Sequence, residues 1–102
     1  MLKKKRFEEV LKRMSRMGID QMIITDPISI LYLTEVWIDA CERLVALYIN
    51  KNGKNYLFVN NMFSVPEKMG VPVIRFADTD PYLEMLAHCT EHTKKLGVDK
   101  NI

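Results

Sequence analysis

Residues 44–59 read LVALYINKNGKNYLFV, two apolar runs on either side of a polar turn. The runs at residues 44–49 and 56–59 are rich in β-branched and aromatic side chains, which favour strands. The turn between them contains Asn52-Gly53, the pair most typical of a tight connection between antiparallel strands. The stretch therefore predicts an antiparallel β-hairpin.

Helical and strand patterns alternate on both sides of this hairpin. Before it we predict a helix over residues 5–17, a buried strand over 21–25 and a short helix over 27–33. After it we predict a helix from residue 60 or 61 to 68, a strand over 71–76, a helix from 81 to 96 and a strand that opens at 98. This alternation is typical of an α/β fold with three layers, a mixed sheet between helices on both faces. We expect one domain over residues 1–102 and, because the last strand has only begun, a continuation of that domain beyond residue 102.

The helical spacing also predicts which side chains face the core. The candidate core residues of the three clearest helices are Phe7, Val10, Leu11, Met14 and Met17, then Ile28, Leu31 and Tyr32, then Tyr82, Leu83, Leu86, Cys89 and Leu96. For the last helix we predict Asp80 as the N-cap, Pro81 at the first helical position and Gly97 at the end.

Composition limits the classes of partner. The chain has 15 basic and 13 acidic residues, a net charge of +2, which predicts neither a nucleic-acid nor a membrane partner. No apolar run approaches the roughly 20 residues that cross a membrane, and no signal-peptide core follows the basic N-terminus. The two cysteines, Cys41 and Cys89, are too few for a disulfide framework. These features predict a cytoplasmic protein.

Residues 32–43, here called the central segment, join the short helix to the hairpin. They contain the only tryptophan of the chain, Trp37, together with Asp39, Cys41 and Arg43. A loop that carries an aromatic side chain among charges is a common place for binding residues. An equally acceptable interpretation makes Trp37 a core or lid residue and the charges a solvated turn. A catalytic cysteine at position 41 is not favoured, because no histidine adjoins it in the sequence.

The remaining motifs do not complete an active site. His88 and His92 lie one helical turn apart and can share a zinc ion, but a site needs three or four ligands, so a surface pair is favoured and no metal site is predicted in this chain. Neither a glycine-rich phosphate loop nor a GxSxG elbow is present. From the residues alone we predict an α/β domain with one candidate binding loop.

Five short motifs occur in a specific order. They are Met17-Gly18-Ile19-Asp20, Ile23-Ile24-Thr25-Asp26-Pro27, Tyr32-Leu33-Thr34-Glu35-Val36, Asp39-Ala40-Cys41-Glu42-Arg43-Leu44 and Leu96-Gly97-Val98-Asp99. In this order the motifs resemble the N-terminal domain of the creatinase/prolidase family, which includes Xaa-Pro dipeptidases and aminopeptidase P. The resemblance covers essentially the whole chain. Two positions depart from it: Glu35 stands where the family has glycine, and Cys41 where the prolidases often have histidine.

The resemblance implies the N-terminal domain of a cytoplasmic, metal-dependent Xaa-Pro dipeptidase (prolidase). The catalytic domain, with two divalent metal ions (Mn, Co or Zn) that activate a water molecule, would lie outside this chain, which would be inactive by itself. The resemblance further implies a homodimer whose loops close over the neighbouring active sites and limit the length of the Xaa-Pro peptide substrate. Trp37, Asp39, Cys41 and Arg43 are the residues predicted to form that gating loop.

Two alternatives remain open at this point. The same domain can serve as a non-catalytic interaction or peptide-binding module, or it can belong to an aminopeptidase P or creatinase parent. An Asp, Asp, His, Glu, Glu ligand set downstream in the reading frame would indicate the enzyme, and its absence would indicate the module.

Overall fold

The computed structural model describes residues 4–38, 44–63, 65, 70–90 and 96–98. Within them the chain forms, in order, α1 (Lys4–Met17), β1 (Gln21–Ile24), α2 (Pro27–Thr34), β2 (Val45–Asn50), β3 (Asn55–Asn60), β4 (Val73–Phe76), α3 (Tyr82–Cys89) and β5 (Leu96–Val98). The strands make one sheet in the order β4-β3-β2-β1-β5.

The sheet is mixed, with β2 at its centre. β2 runs antiparallel to β1 and β3, whereas β4 is parallel to β3 and β5 is parallel to β1. The predicted hairpin is confirmed, with Val45 opposite Val59 and Ile49 opposite Asn55. Its turn needs Gly53, whose φ of 95° lies in the region that side chains other than glycine rarely adopt.

Two apolar clusters lie on opposite faces of the sheet, because successive side chains of a strand point to opposite sides. On one face, side chains of β1, β2 and β3 pack with Phe7 and Met14 of α1 and with Ile30 and Leu33 of α2. On the other face, Ala46, Tyr48, Phe58 and Phe76 pack with Leu86 of α3. The three-layer architecture with helices on both faces is therefore confirmed.

A buried polar network joins β1 to β2. The Tyr48 hydroxyl donates to Oε1 of Gln21 at 2.7 Å and accepts from Nδ2 of Asn50 at 2.9 Å. All three residues are at most 3% exposed. Burying polar atoms costs little stability when each has a hydrogen-bond partner. The network therefore ties β1 to β2 without a large energetic penalty.

The predicted inner face of α2 is wrong. Ile28, Leu31 and Tyr32 are 68%, 37% and 54% exposed, whereas Ile30 and Leu33 are buried. The reason lies in the composition of α2, which contains no charged residue. Without a polar stripe, the spacing of apolar residues in eight positions does not distinguish the buried face from the exposed one.

The predicted end of the last helix is also wrong, because α3 ends at Cys89 rather than near Leu96. Thr90 takes an extended backbone, and its hydroxyl donates to the Ala87 carbonyl at 2.7 Å. Leu96 is instead the first residue of β5, opposite Gln21 of β1.

Gly97 does not end a helix; it lies in β5, closely packed against the side chain of Ile19. A Cβ atom at this position would lie 3.1 Å from Cδ1 of Ile19, a contact tighter than most Cβ atoms make. The predicted core positions Leu83 and Leu96 are 66% and 40% exposed, and Met17 at the end of α1 is 65% exposed.

The start of α3 differs from the prediction as well. The Asp80 carboxylate accepts from the Ala77 N–H at 2.7 Å and so closes the preceding turn, while Pro81 occupies the N-cap position. The helix predicted from residue 60 or 61 to 68 falls largely outside the described residues, and its described part, residues 61–63, is a turn. In the described part of the chain, no helix combines the length and the apolar character that crossing a membrane requires.

Candidate functional site

The start of α2 is fixed by Asp26 and Pro27. The Asp26 carboxylate accepts from the N–H groups of Ile28 and Ser29 at 3.4 and 3.3 Å and from the Ser29 hydroxyl at 2.9 Å. Pro27 occupies the first turn, where its missing N–H is no loss. This part of the motif at residues 23–27 therefore works as a helix cap.

The end of α2 is held by Thr34 and Glu35. The Thr34 hydroxyl donates to the Ile30 carbonyl at 2.6 Å and accepts from the Val36 N–H at 3.2 Å. Glu35 adopts the left-handed conformation, with φ 59° and ψ 22°, and its N–H donates to the Leu31 carbonyl at 2.7 Å. Glu35 thus occupies the position that helices usually give to glycine, which explains why the resembled family has glycine there.

Replacing Glu35 by glycine is expected to leave the domain more stable than replacing it by alanine. A left-handed residue with a side chain costs about 1–2 kcal/mol, and the extra freedom of glycine in the unfolded chain returns part of this gain. We expect the free energy of unfolding of Glu35→Gly to exceed that of Glu35→Ala by about 0.5–1 kcal/mol, which corresponds to a melting temperature higher by roughly 2–8 °C.

Glu35→Ala is the matched control, because it removes the same carboxylate but keeps Cβ. Thermal unfolding of both variants measures this difference. Equal stability of the two variants would show that the left-handed backbone carries no strain.

Trp37 is presented at the surface by its two neighbours. Val36 is partly buried against the core, and Ile38 is 5% exposed within it. Trp37 between them is 56% exposed. The apolar neighbours anchor the backbone on both sides, so the indole stands outside the core on a fixed support. The interpretation of Trp37 as a core residue does not hold for this chain.

The other predicted members of the gating loop, Asp39, Cys41 and Arg43, lie outside the described residues, and so does the departure from the family at Cys41. The structure therefore describes the entry to the loop, residues 34–38, and its exit into β2. That these three residues and Trp37 form one gating loop stays a prediction.

Arg6 links α1 to the last turn of α2. Its guanidinium lies 4.6 Å from the centroid of the Tyr32 ring, and Nη1 donates to the Tyr32 carbonyl at 2.7 Å. A cation over an aromatic face and a charge-assisted hydrogen bond act here on the same residue. The contact holds the last turn of α2 against α1, close in the sequence to Trp37.

A groove between α1 and α2 was not predicted from the sequence. It has a volume of about 500 Å³, and its lining includes Met17 of α1, Met22 of β1 and Ile28 of α2. Ile28 and Tyr32 were predicted to face inward, and a helix without charged residues gives no sequence signal for which of its faces is exposed.

Potential metal ligands do not converge in the described part of the chain. No group of three or more His, Cys, Asp or Glu side chains is arranged there to hold a metal ion. His88 is exposed on α3, and His92 lies outside the described residues. Partial burial raises the pKa of the Cys89 thiol, which disfavours the reactive thiolate.

Replacing His88 and His92 together by alanine is expected to leave stability almost unchanged. Surface substitutions usually cost about 0.5 kcal/mol or less, which corresponds to a change in melting temperature of roughly a few degrees. Thermal unfolding with and without added Zn²⁺ measures this. A large zinc-dependent stabilisation that disappears in the double variant would contradict the interpretation as a surface pair.

Known proteins are similar to this chain in sequence and in fold. The sequence matches the model of the Creatinase/Prolidase N-terminal domain over residues 6–102, so the chain belongs to this family. The resemblance inferred from the motifs is therefore confirmed. A search of curated protein sequences gave no match.

Solved structures share the fold. The N-terminal domain of an X-Pro dipeptidase from Streptococcus pyogenes is similar with a TM-score of 0.79 and 20% identity, over 95% of this chain and 77% of that one. A proline dipeptidase from Streptococcus pneumoniae gives a TM-score of 0.78 and 22% identity, over 94% and 75% of the chains.

A longer relative shows how the domain is used in that protein. Prolidase from Thermococcus sibiricus is similar with a TM-score of 0.85 and 18% identity, over 100% of this chain but only 29% of that one. At these identities the structures establish the fold alone. In that prolidase the domain forms part of a much longer polypeptide.

Proposed function

We propose that the chain is the N-terminal domain of a metal-dependent Xaa-Pro dipeptidase. Its role is to contribute to dimerisation and to supply a gating loop at the active-site mouth. The parent enzyme hydrolyses Xaa-Pro peptide bonds and is located in the cytoplasm. Membership of the family and the similarity to dipeptidase N-terminal domains support this proposal.

The exposure of Trp37 is the observation that carries the proposed role of the loop. An indole that is 56% exposed contributes little to the core and is available for contact with something outside the domain. Tryptophan is also the residue most enriched where interfaces concentrate their binding energy. In the assembled enzyme Trp37 would wall the substrate pocket, and Arg43 would pair with a carboxylate of the substrate or of the neighbouring subunit.

The metal ions of the proposed reaction would be bound outside this chain. The described residues do not offer a ligand set for two divalent ions. Two ions of Mn²⁺, Co²⁺ or Zn²⁺ in the catalytic domain would supply an activated water. This chain would contribute the placement of the gating loop. The capped helix α2 holds the start of the loop, and the loop would exclude substrates that are too long.

A second candidate function keeps the same fold without the peptidase. A non-catalytic interaction or peptide-binding module is favoured by the apolar groove between α1 and α2, which a gating role does not require. An aminopeptidase P or creatinase parent would use the domain in the same way as a dipeptidase. The metal ligands in the rest of the reading frame distinguish the enzymes from the module.

The isolated chain is expected to be inactive, whereas its longer parent releases proline from Xaa-Pro dipeptides. The measurement is proline release from both proteins, with Mn²⁺, Co²⁺ or Zn²⁺ added in turn. Metal-dependent turnover by the isolated chain that survives repurification would contradict the assignment of catalysis to another domain. A parent that neither binds metal nor releases proline would favour the interaction module.

A further inference from the structure

The hairpin turn, residues 50–55, contains a chemically reactive pair that the peptidase role does not use. Asn52 is followed by Gly53, and both residues are exposed to water. The main-chain nitrogen of a residue can attack the side-chain amide of an asparagine before it. The attack is least hindered when the attacking residue is glycine, which has no Cβ. Asn50 and Asn55 in the same turn are followed by lysine and tyrosine, so they serve as internal controls.

The reaction at this pair is deamidation, with water as the only co-reactant. The nitrogen of Gly53 forms a bond to Cγ of Asn52, and ammonia leaves with the proton that Gly53 loses. Water then opens the resulting succinimide at either carbonyl carbon and gives aspartate or isoaspartate. In isoaspartate the main chain continues through the former side chain, which lengthens the backbone inside the turn. Reactions of this kind make asparagine a thermolabile residue.

The folded turn holds the attacking nitrogen away from its target. The Gly53 N–H donates to the Asn50 carbonyl at 2.9 Å, the hydrogen bond that closes a β-turn over residues 50–53. The nitrogen must give up this bond as well as its proton before it can attack Asn52.

The side chain that would be attacked is held as well. Oδ1 of Asn52 accepts from the Lys54 N–H at 2.9 Å, and the Asn52 N–H donates to Oδ1 of Asn50 at 3.0 Å. These bonds restrict the rotation of the Asn52 side chain and of its backbone. Both groups that must meet are therefore bound to other partners in the folded turn.

Asn50 ties the turn to the buried part of the sheet. Its Nδ2 donates to the Tyr48 hydroxyl at 2.9 Å, and its N–H donates to Oδ1 of Asn55 at 3.3 Å. Asn50 itself is 3% exposed. Opening the turn disturbs these bonds and so costs free energy, which keeps the open form a small fraction of the molecules.

We propose that Asn52 is a site of spontaneous deamidation that the folded hairpin turn suppresses, so that the modification passes through molecules in which this turn has opened. The proposal does not depend on the peptidase role, because the residues that carry it lie outside the central segment. The modification then records how often the hairpin opens.

The first test compares the 102-residue protein with a peptide of residues 48–56, which is too short to form a stable hairpin. Both are incubated at neutral pH, and the conversion of asparagine is followed by mass spectrometry of proteolytic fragments. We expect Asn52 to be modified at least about tenfold more slowly in the protein than in the peptide. Asn50 and Asn55 should remain unmodified in both.

Hydrogen exchange of the Gly53 amide gives a second measurement that needs no variant. The same N–H that donates to Asn50 must be released for exchange and for attack on Asn52. Its protection against exchange in the protein, measured by NMR, should therefore agree with the suppression of deamidation within about threefold.

Two variants locate the suppression in this turn. Asn55→Ala removes the acceptor of the Asn50 N–H and should speed deamidation about threefold in the protein but leave the rate of the matching peptide unchanged. Lys54→Ala is the control, because it removes an exposed side chain but keeps the N–H that binds Asn52. It should change the rate in the protein by less than about twofold.

Three results would overturn the proposal. Equal rates in protein and peptide, or a faster rate in the protein, would show that the turn does not suppress the reaction. Intact Asn52 in the peptide would show that the pair is not a modification site. A Gly53 amide that exchanges without protection, while Asn52 stays unmodified in the protein, would separate the suppression from opening of the turn.

Discussion

Phe58→Ala is expected to lower the free energy of unfolding by about 3–5 kcal/mol, the usual cost of removing a core aromatic side chain. Phe58 is fully buried on β3, between Ala46 of β2 and Ile74 of β4. It belongs to the cluster that joins the sheet to α3. The lost contacts cannot be replaced by collapse, because both flanking strands are fixed by their own hydrogen bonds.

Urea denaturation of Phe58→Ala and Leu83→Ala measures this effect against a matched control. Leu83 lies on α3, on the same side of the sheet, but is 66% exposed. Its truncation should cost about 0.5 kcal/mol or less. If the two variants were equally stable, the cluster around Phe58 would not be a core, and the three-layer arrangement would be wrong on that face.

Trp37→Ala is expected to lower the kcat/KM of the full-length parent about tenfold on Xaa-Pro dipeptides, a loss of about 1.4 kcal/mol of transition-state stabilisation. The indole is held at the surface by Val36 and Ile38. Under the proposed gating role, its loss would open the substrate pocket without moving the backbone. The free energy of unfolding of the isolated domain should fall by less than about 1 kcal/mol, because most of the side chain is already exposed.

The hairpin and α1 were predictable because several local signals agree. The Asn-Gly turn and the two apolar runs both specify the hairpin, and α1 is long enough for its apolar stripe to define one face. The outer face of α2 was not predictable, because a helix without charged residues gives no contrast between its sides. The end of α3 was missed because it depends on Thr90 and on the pairing of Leu96 with β1, a contact between distant parts of the sequence.

The candidate site was predictable only in part. The combination of a single tryptophan with neighbouring charges pointed to residues 37–43, and the exposure of Trp37 is consistent with that interpretation. Glu35 stands where the resembled family has glycine, yet its backbone takes the left-handed conformation that glycine adopts readily. The α1–α2 groove could not be derived from any one segment, because its lining comes from α1, β1 and α2 together.

The most direct test of the central claim is the ratio of kcat/KM between Trp37→Ala and Leu83→Ala in the full-length parent. Both variants remove an exposed apolar side chain, at 56% and 66% exposure, but only Trp37 belongs to the proposed gating loop. Arg43→Ala in the same protein extends the test to the charged part of the loop. The account predicts Trp37→Ala about tenfold below Leu83→Ala, with both domains equally stable. Equal kcat/KM values, or a Trp37→Ala domain that no longer folds, would contradict it.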